Sequence, residues 1–505
     1  MPGPARPLIV VSNREPYLHA RRPDGSIVAV PTTGGVAVAL DALMRERGGT
    51  WIAHGAGKAD REVVDANDRV RVPPDAPAYT LRRIWLTHEE ERRYYNGFAN
   101  EGLWPLCHIV HVRPVFRSED WATYRAINTR FARAIAEELS DAAPPVFIQD
   151  YHLALTAAEL RRERPDVRTA FFWHIPWPHP DRLRMCPWRL DIMKGLLAND
   201  LLAFQLERDR RNFLLGVRDE LPAEPDRGKI RLNGRTTRVV AAPIGVDFDR
   251  IQEVAADPTL FGETERLRRE LRLDDPDVSI IGIGVDRLDY TKGIPERLEA
   301  IDRLLSIRPD LRSRLAFVQI GVPSRSRIAS YAKIERRIDA QVADINARHG
   351  ESPDRGPIRY RKSALKIRRL VALYRLADFC VVSSLHDGMN LVAKEFVAAR
   401  DDGDGVLVLS EMTGAAQELK DALIINPYHI DGFAAAIERA IGMPRDERAA
   451  RMRALRRVVA GHDVFLWASD ILESLEQAGD RAGDGPGSDA VALAGPAGRI
   501  RIDAG

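Results

Sequence analysis

Two doubly wound α/β halves are what the 505-residue sequence predicts. Short apolar runs alternate with amphipathic helical stretches along most of the chain, the pattern of strand–helix–strand units in an open sheet. Many of these runs are continuous in Val, Ile, Leu and Phe rather than alternating with polar residues, which suits parallel strands covered on both faces. The alternation falls into two sets, with Pro243 and Gly245 at a plausible junction. A ligand of such a fold belongs at the carboxyl ends of the strands, in the cleft between the halves.

The first set opens with Leu8–Asn13 and continues through Val146–Asp150, Thr169–Ile175, Leu201–Gln205 and Arg238–Gly245. The second contains Ser279–Val285, Leu315–Gly321, Phe379–Ser384 and Gly405–Ser410. Thr123–Leu139 and Pro295–Pro309 have helical spacing. From Gln477 onward the chain is rich in Gly, Ala and Asp, and 477–505 is expected to be a disordered tail.

Composition narrows the function. The hydrophobic fraction of 45% and charged fraction of 29% are those of a globular chain with ample core. Seventy-five basic residues against 73 acidic ones leave a net charge of +2. No nucleic-acid or membrane partner is expected from that balance, so anion binding must be local. Cys107, Cys186 and Cys380 lie far apart with no C-x-x-C pair, so neither a disulfide framework nor a zinc site is expected and a reducing cytoplasm fits. No apolar run reaches the roughly 18–20 residues of a membrane helix. The opening MPGPARPLIVVSNREP reads as the approach to a buried strand, not as a secretory signal.

Two loops carry chemistry. In VDRLDYTKGIPERLEAI, Arg287 and Lys292 stand before a helix starting near Pro295. Two cations beside a helix N-terminus suit a diphosphate, although solvated loop charges would look the same. Gly282 and Gly284 lie within the preceding strand and lack a third glycine, so they make no dinucleotide fingerprint. In SSLHDGMNLVAKEF, Asp387–Gly388 is a turn pair, and Gly388 lets another backbone come close. Met389, Asn390, Leu391 and Val392 would present amides at the start of a helix. Glu395, four residues after Leu391, shares its face and could reach the same ligand. The plain structural alternative has Asn390 capping that helix and Glu395 pairing with an arginine. In HIPWPHP the prolines keep His174 and His179 from sharing a helical face as zinc ligands, and His174 could equally be a core histidine. The basic run Arg359–Arg369 reads as a solvated helix face or a partner site.

RLDYTKG and DGMNLVAKE together closely resemble the trehalose-6-phosphate synthase family of retaining glycosyltransferases. So do SNR (Ser12–Arg14), TGG (Thr33–Gly35), YYNGFANEGLWP (Tyr94–Pro105), QDYHL (Gln149–Leu153) and WHIPWP (Trp173–Pro178). The resemblance runs from about Leu8 to Leu475. It implies a GT-B fold, with an acceptor-binding Rossmann-like domain over 1–242 and a nucleotide-sugar-binding one over 243–455. A helix over 456–476 is implied to cross back to the first domain. The implied reaction is transfer of glucose from UDP-glucose, or another nucleoside-diphosphate glucose, to glucose 6-phosphate. Arg287 and Lys292 would hold the diphosphate and Glu395 the ribose. Asp387 and the amides of Gly388, Met389 and Asn390 would hold the donor glucose, with His174 near its 6-hydroxyl. Leu391 and Val392 would contribute backbone contacts, and Gly35 would lie in a loop over the donor. Arg14, Tyr95, Trp104, Asp150 and Arg325 would meet the acceptor. Tyr95 and Trp104 are otherwise readable as core aromatics.

The implied mechanism needs neither metal nor other cofactor, because two side chains supply the positive charge on the leaving diphosphate. It attacks from the face the leaving group departs, with the leaving phosphate taking the acceptor's proton. A double displacement would need a carboxylate nucleophile, and the sequence names none. Three departures from the family pattern stand out: Gln149 where His is frequent, Val36 where Leu is frequent, and a Glu15–Thr32 segment longer than in some members. A sister transferase using glycerol 3-phosphate, and a non-catalytic paralogue, are the alternatives. A sugar phosphorylase would need a pyridoxal-binding lysine, for which no motif stands out. A homo-oligomer is compatible with all of these.

Overall fold

The computed structural model describes residues 7–32, 35–139, 143–350 and 355–480. Every run read as a strand forms one, within a few residues of the expected ends. The first domain holds a nine-stranded sheet. Leu8–Arg14 lies at its middle, paired in parallel with Gly49–His54 on one side and Val146–Gln149 on the other. Beyond Val146–Gln149 come Thr169–Trp173, Leu201–Phe204 and Arg235–Ala241, all parallel. Only the outermost strands, Arg69–Val72 and Lys229–Leu232, run antiparallel. The second domain holds a six-stranded parallel sheet in the order Ile358–Arg361, Leu315–Val322, Ile280–Arg287, Phe379–Val382, Val406–Ser410, Leu423–Ile425.

Each sheet has one place where the winding reverses. In the first it lies between Leu8–Arg14 and Val146–Gln149; in the second, between Ile280–Arg287 and Phe379–Val382. The loops leaving the carboxyl ends of these strands diverge there and leave a crevice. Arg14 and Arg287 are the last residues of two of those strands, and Asp150 and Asp387 lie in the loops that leave the other two.

Segment Glu15–Thr32 forms a hairpin, Tyr17–Arg21 against Ile27–Pro31. Its base is fastened by buried Arg83, whose Nε donates to Glu15 Oε2 at 2.7 Å and whose Nη2 pairs with Asp60 at 3.0 Å. Burial pushes the Glu15 carboxyl up to about 8, a rise that neighbouring Asp60 adds to and Arg83 opposes.

The second domain's end differs from expectation. Helix Arg445–Gly461 stays with the second domain, packing on helix Leu391–Ala399 and strand Val406–Ser410. The chain crosses at His462–Asp463, and helix Val464–Asp480 then packs on strands Thr169–Trp173 and Leu201–Phe204 and on helix Gly35–Arg47. The crossing helix is therefore 464–480, not 456–476, because a turn is needed before the chain can change domain. Residues 477–480 of the expected tail belong to it, and 481–505 lie outside the described residues. Both crossings touch: Val464 N–H donates to Val246 O, and a Cβ on Gly245 would stand 1.9 Å from His462 O. One apolar cluster runs unbroken from Val10 and Phe172 through Ile244 and Val246 to Ile283 and Val382, with Trp467, Ile471 and Leu475 completing it.

Candidate active site

On the second domain, Lys292 is 8% exposed, which removes the reading of a solvated loop charge. Its Nζ lies 2.5 Å from Asp387 Oδ2. Ser384 Oγ and Asn390 Nδ2 also donate to that oxygen, each at 3.2 Å. Burial pushes the Asp387 carboxyl up, but the charge and hydrogen bond of Lys292 outweigh it, and the group is held down at about 2. Asp387 is an anion at every working pH, and its Oδ2 is saturated with donors.

The loop around it is pinned from behind. Asp387 N–H donates to Met412 O at 3.1 Å, and Ala415 N–H to Met389 O at 2.8 Å. Asn390 sits at φ 81°, and its Oδ1 accepts from Ala393 N–H at 3.2 Å. The capping alternative is thus real, and it leaves the amides of Leu391 and Val392, the first two residues of the helix, for a ligand. Glu395 meets no arginine. Its Oε2 accepts from buried Tyr374 Oη at 3.1 Å, and burial pushes its carboxyl up to about 7 against that hydrogen bond.

Arg287 ends its strand over the face of Trp104, 5.4 Å from the ring centre; against the burial of Asp289, its charge helps hold that carboxyl below its usual range. Arg325 lies over the same ring at 4.2 Å. Its side chain is 3% exposed and its backbone is left-handed, φ 51°. Nη1 donates to Tyr331 Oη at 2.5 Å, Nη2 to Tyr151 Oη at 3.1 Å, and Asp289 Oδ2 stands 3.5 Å away. Nε has no partner.

The first domain brings the rest. A wide-turned helix, Glu91–Leu103, and its continuation Trp104–Cys107 present Tyr95 and Trp104. Tyr95 stacks on His152 at 5.5 Å, and exposed Arg14 reaches its hydroxyl at 3.4 Å. Burial raises the Tyr95 phenol, but the charges of Arg325 and Arg14 reverse that and bring it down to about 7. Two guanidinium groups therefore converge where an anion is wanted. Asp150 is held at φ 74° and ψ 162°, a region otherwise nearly reserved for glycine. Its Oδ1 accepts from Tyr151 N–H at 2.9 Å and His174 N–H at 3.3 Å, and burial pushes the carboxyl up to about 6.

His174 touches the donor loop through its backbone. A Cβ on Gly388 would stand 2.3 Å from His174 O, so only glycine fits there. The imidazole is held from both sides: Nε2 donates to Gln149 Oε1 at 2.9 Å, and Gln205 Nε2 donates to Nδ1 at 3.4 Å. Burial pushes it down to about 3, so it is neutral. Gln149, which departs from the family pattern, is thus a direct partner of His174. Gly35 heads helix Gly35–Arg47, directly after residues 33–34, which lie outside the described set.

Sequence reasoning missed Tyr374, Ser384, Gln205, Tyr331, Asn100, Tyr151 and Asp289. Tyr151 and Asp289 sit inside QDYHL and RLDYTKG, and Asn100 inside YYNGFANEGLWP, so the motifs marked their neighbourhood but not their use. Tyr374, Gln205 and Tyr331 carry no local signal. The basic run resolves into ion pairs: Arg361 and Arg369 with Glu270, Lys362 with Glu335 and Asp339, and Arg368 with Asp257. No group of three or more His, Cys, Asp or Glu side chains is placed to hold a metal ion among the described residues. No described helix is long and apolar enough to cross a membrane.

Two doubly wound domains that face each other across a crevice, with a switch point of each sheet opening into it, make up the GT-B architecture. Over residues 6–477 the chain matches the model of Glycosyltransferase family 20, and it belongs to that family. It is 39% identical over 484 residues to the trehalose-6-phosphate synthase of Mycobacterium avium, covering 94% of this chain and 96% of that one. Among solved structures, the UDP-forming α,α-trehalose-phosphate synthase of Burkholderia vietnamiensis superposes with a TM-score of 0.84 at 33% identity, over 95% of this chain and 99% of that one. The UDP-forming synthase of Burkholderia xenovorans in complex with glucose-6-phosphate gives 0.82 at 33% identity, over 93% and 100%.

Proposed function

We propose that this chain transfers glucose, with retention, from UDP-glucose to the anomeric hydroxyl of glucose 6-phosphate, releasing UDP. One observation carries the reading: Arg287 of the donor side and Arg325 of the acceptor side lie over the same Trp104 ring, 5.4 and 4.2 Å from its centre. A diphosphate held by one and a phosphate held by the other would bring their two sugars together beside Asp387 and Asp150. The similarity to synthases described as UDP-forming, one of them holding glucose-6-phosphate, supports this choice of nucleotide and acceptor.

In this reading Arg287 and Lys292 bind the diphosphate, the amides of Leu391 and Val392 add to that field, and Glu395 accepts from the ribose hydroxyls. Asp387 and the amides of Gly388, Met389 and Asn390 fix the glucose. The anomeric C–O bond to the diphosphate breaks as the bond to the acceptor oxygen forms on the same face. The departing phosphate oxygen takes the acceptor's proton, so charge and protons balance without a protein base. The developing negative charge falls on Arg287 and Lys292, already in place, which is why no metal is required. Much of the remaining rate comes from holding the two sugars together in a closed cleft.

The test is nucleoside diphosphate release from UDP-glucose and from GDP-glucose, each with glucose 6-phosphate, glycerol 3-phosphate or no acceptor. Release from UDP-glucose that requires glucose 6-phosphate, with a non-reducing disaccharide phosphate as product, is expected. Release only with glycerol 3-phosphate would keep the donor site and replace the acceptor. No release with any pair would overturn the reading.

A further inference from the structure

Arg325 belongs to the second domain, yet one of its hydroxyl partners belongs to the first. Tyr331 and Asp289 are its neighbours in the second domain and would stay with it in any arrangement of the two domains, whereas Trp104 and Tyr95, whose rings it also faces at 4.2 and 6.0 Å, belong to the first. Tyr151 Oη, from the turn that follows strand Val146–Gln149, accepts from Arg325 Nη2 at 3.1 Å. The same hydroxyl donates to Asn100 Oδ1 at 2.8 Å, and Asn100 Nδ2 donates to Tyr95 O at 2.7 Å. Tyr151 and Asn100 are each 1% exposed. A buried chain of hydrogen bonds therefore runs from the guanidinium of one domain to the helix that carries Tyr95 in the other.

We propose that Tyr151 is a positioning residue which seats Arg325 across the domain boundary, so that the acceptor's phosphate finds its full cation only when the cleft is shut. The inference rests on the reading of Arg325 as a phosphate ligand. The geometry favours a specific seat over simple packing. Tyr151 Oη uses its proton on Asn100 and so has only lone pairs left to offer, the polarity a guanidinium needs. Tyr331 and Tyr151 take one proton each from Arg325 Nη1 and Nη2 and so fix the plane of the guanidinium, and Nε has no partner. With Tyr151 withdrawn, Nη2 would lose its fixed direction and Nε its aim. An open cleft would thus hold glucose 6-phosphate weakly and a shut one firmly, which couples acceptor binding to exclusion of water from the donor.

The experiment compares the intact chain with Tyr151→Phe, Asn100→Ala and the double variant, reading KM for each substrate separately. In Tyr151→Phe the KM for glucose 6-phosphate is expected to rise about tenfold, the scale for losing a hydrogen bond to a charged group. The KM for UDP-glucose should move by no more than about twofold, because the donor contacts are untouched. Asn100→Ala should raise the acceptor KM about threefold, and the double variant should be no worse than Tyr151→Phe, since both act on one contact. An unchanged acceptor KM in Tyr151→Phe, a parallel rise in both KM values, or additive effects in the double variant would each overturn the proposal. If Tyr151→Phe does not fold, the acceptor-only rise in Asn100→Ala decides it. Wild-type release that ignores glucose 6-phosphate would instead remove the underlying activity, and it is read before any variant.

Discussion

Arg287 is the side chain on which turnover should depend most. It places a cation's charge in the crevice, 5.4 Å from the Trp104 ring centre and close enough to act on the Asp289 and Asp150 carboxylates. Replacing it with alanine is expected to lower kcat by at least ~10²-fold, the scale for removing one transition-state charge contact. Near-normal steady-state turnover would take it out of the leaving-group site. Arg325→Ala should act differently, raising the acceptor KM by about tenfold or more through loss of a charge-assisted contact. Glu395 adds a pH dependence. Burial pushes its carboxyl up to about 7, and in the ribose-binding role proposed for it the ionised form is the better acceptor for two hydroxyls. The KM for UDP-glucose should therefore rise as pH falls from 8 to 6, and Glu395→Gln should flatten the profile; a wild-type profile already flat would exclude Glu395 from the ribose site. For stability the sign is opposite. Between 4.5 and about 7 the folded state keeps a proton that the unfolded chain releases, so burying Glu395 costs stability as pH rises through that window.

Among the elements, the tight places are the loops at the two switch points. Asp150 and Asn390 in those loops, and Arg325 after the neighbouring strand Leu315–Val322, all hold positive φ without being glycine. Such strain persists only where surroundings impose it, and here it aims side chains into one crevice. Gly388 is one place where the donor loop lies against the first domain; His386, whose Nδ1 accepts from Ile109 N–H at 3.1 Å, is another. A methyl on Gly388 would meet the His174 carbonyl at 2.3 Å and push the loop and the domain apart. Gly388→Ala is expected to lower kcat by about 10²-fold while the variant stays folded, because a displacement near 1 Å is enough to misplace reacting groups. Circular dichroism with turnover would check it, and a folded variant of normal activity would show that the two domains need not touch there. At this scale the sequence was legible where strands are buried on both faces. Leu8–Arg14 and Phe379–Val382 are apolar throughout apart from the carboxyl end of the first. Strands that face water or lie at an edge, such as Arg69–Val72 and Ile358–Arg361, carry too many arginines to announce themselves, and their pairing depends on neighbours far along the chain.

The two domains are joined by more than a linker. Trp467, on the helix that crosses back, packs against Phe147 and Phe172 with ring centres 5.8 and 5.0 Å away, and against His174 at 6.2 Å. Trp467→Ala is expected to destabilise the protein by about 3–5 kcal/mol, the range for emptying an aromatic site in a core. Urea unfolding would measure it; a change under about 1 kcal/mol would mean the helix end is free to collapse onto the gap. By itself the sequence determined the layered α/β architecture and the two loops that flank the second sheet's switch point, with Arg287 and Lys292 in one and Asp387–Gly388 in the other, because strand periodicity, glycine turns and helix starts are local physics. Only the tertiary structure decided that Glu395 answers to Tyr374, that Gln149 and Gln205 hold His174, that Arg361, Lys362, Arg368 and Arg369 of the basic run find carboxylates within the molecule, and that Arg325 meets a tyrosine of the other domain. Those pairings join residues separated by tens to hundreds of positions. Proximity of that kind is created when two sheets and a returning helix close on one another, and no local pattern along the chain encodes it.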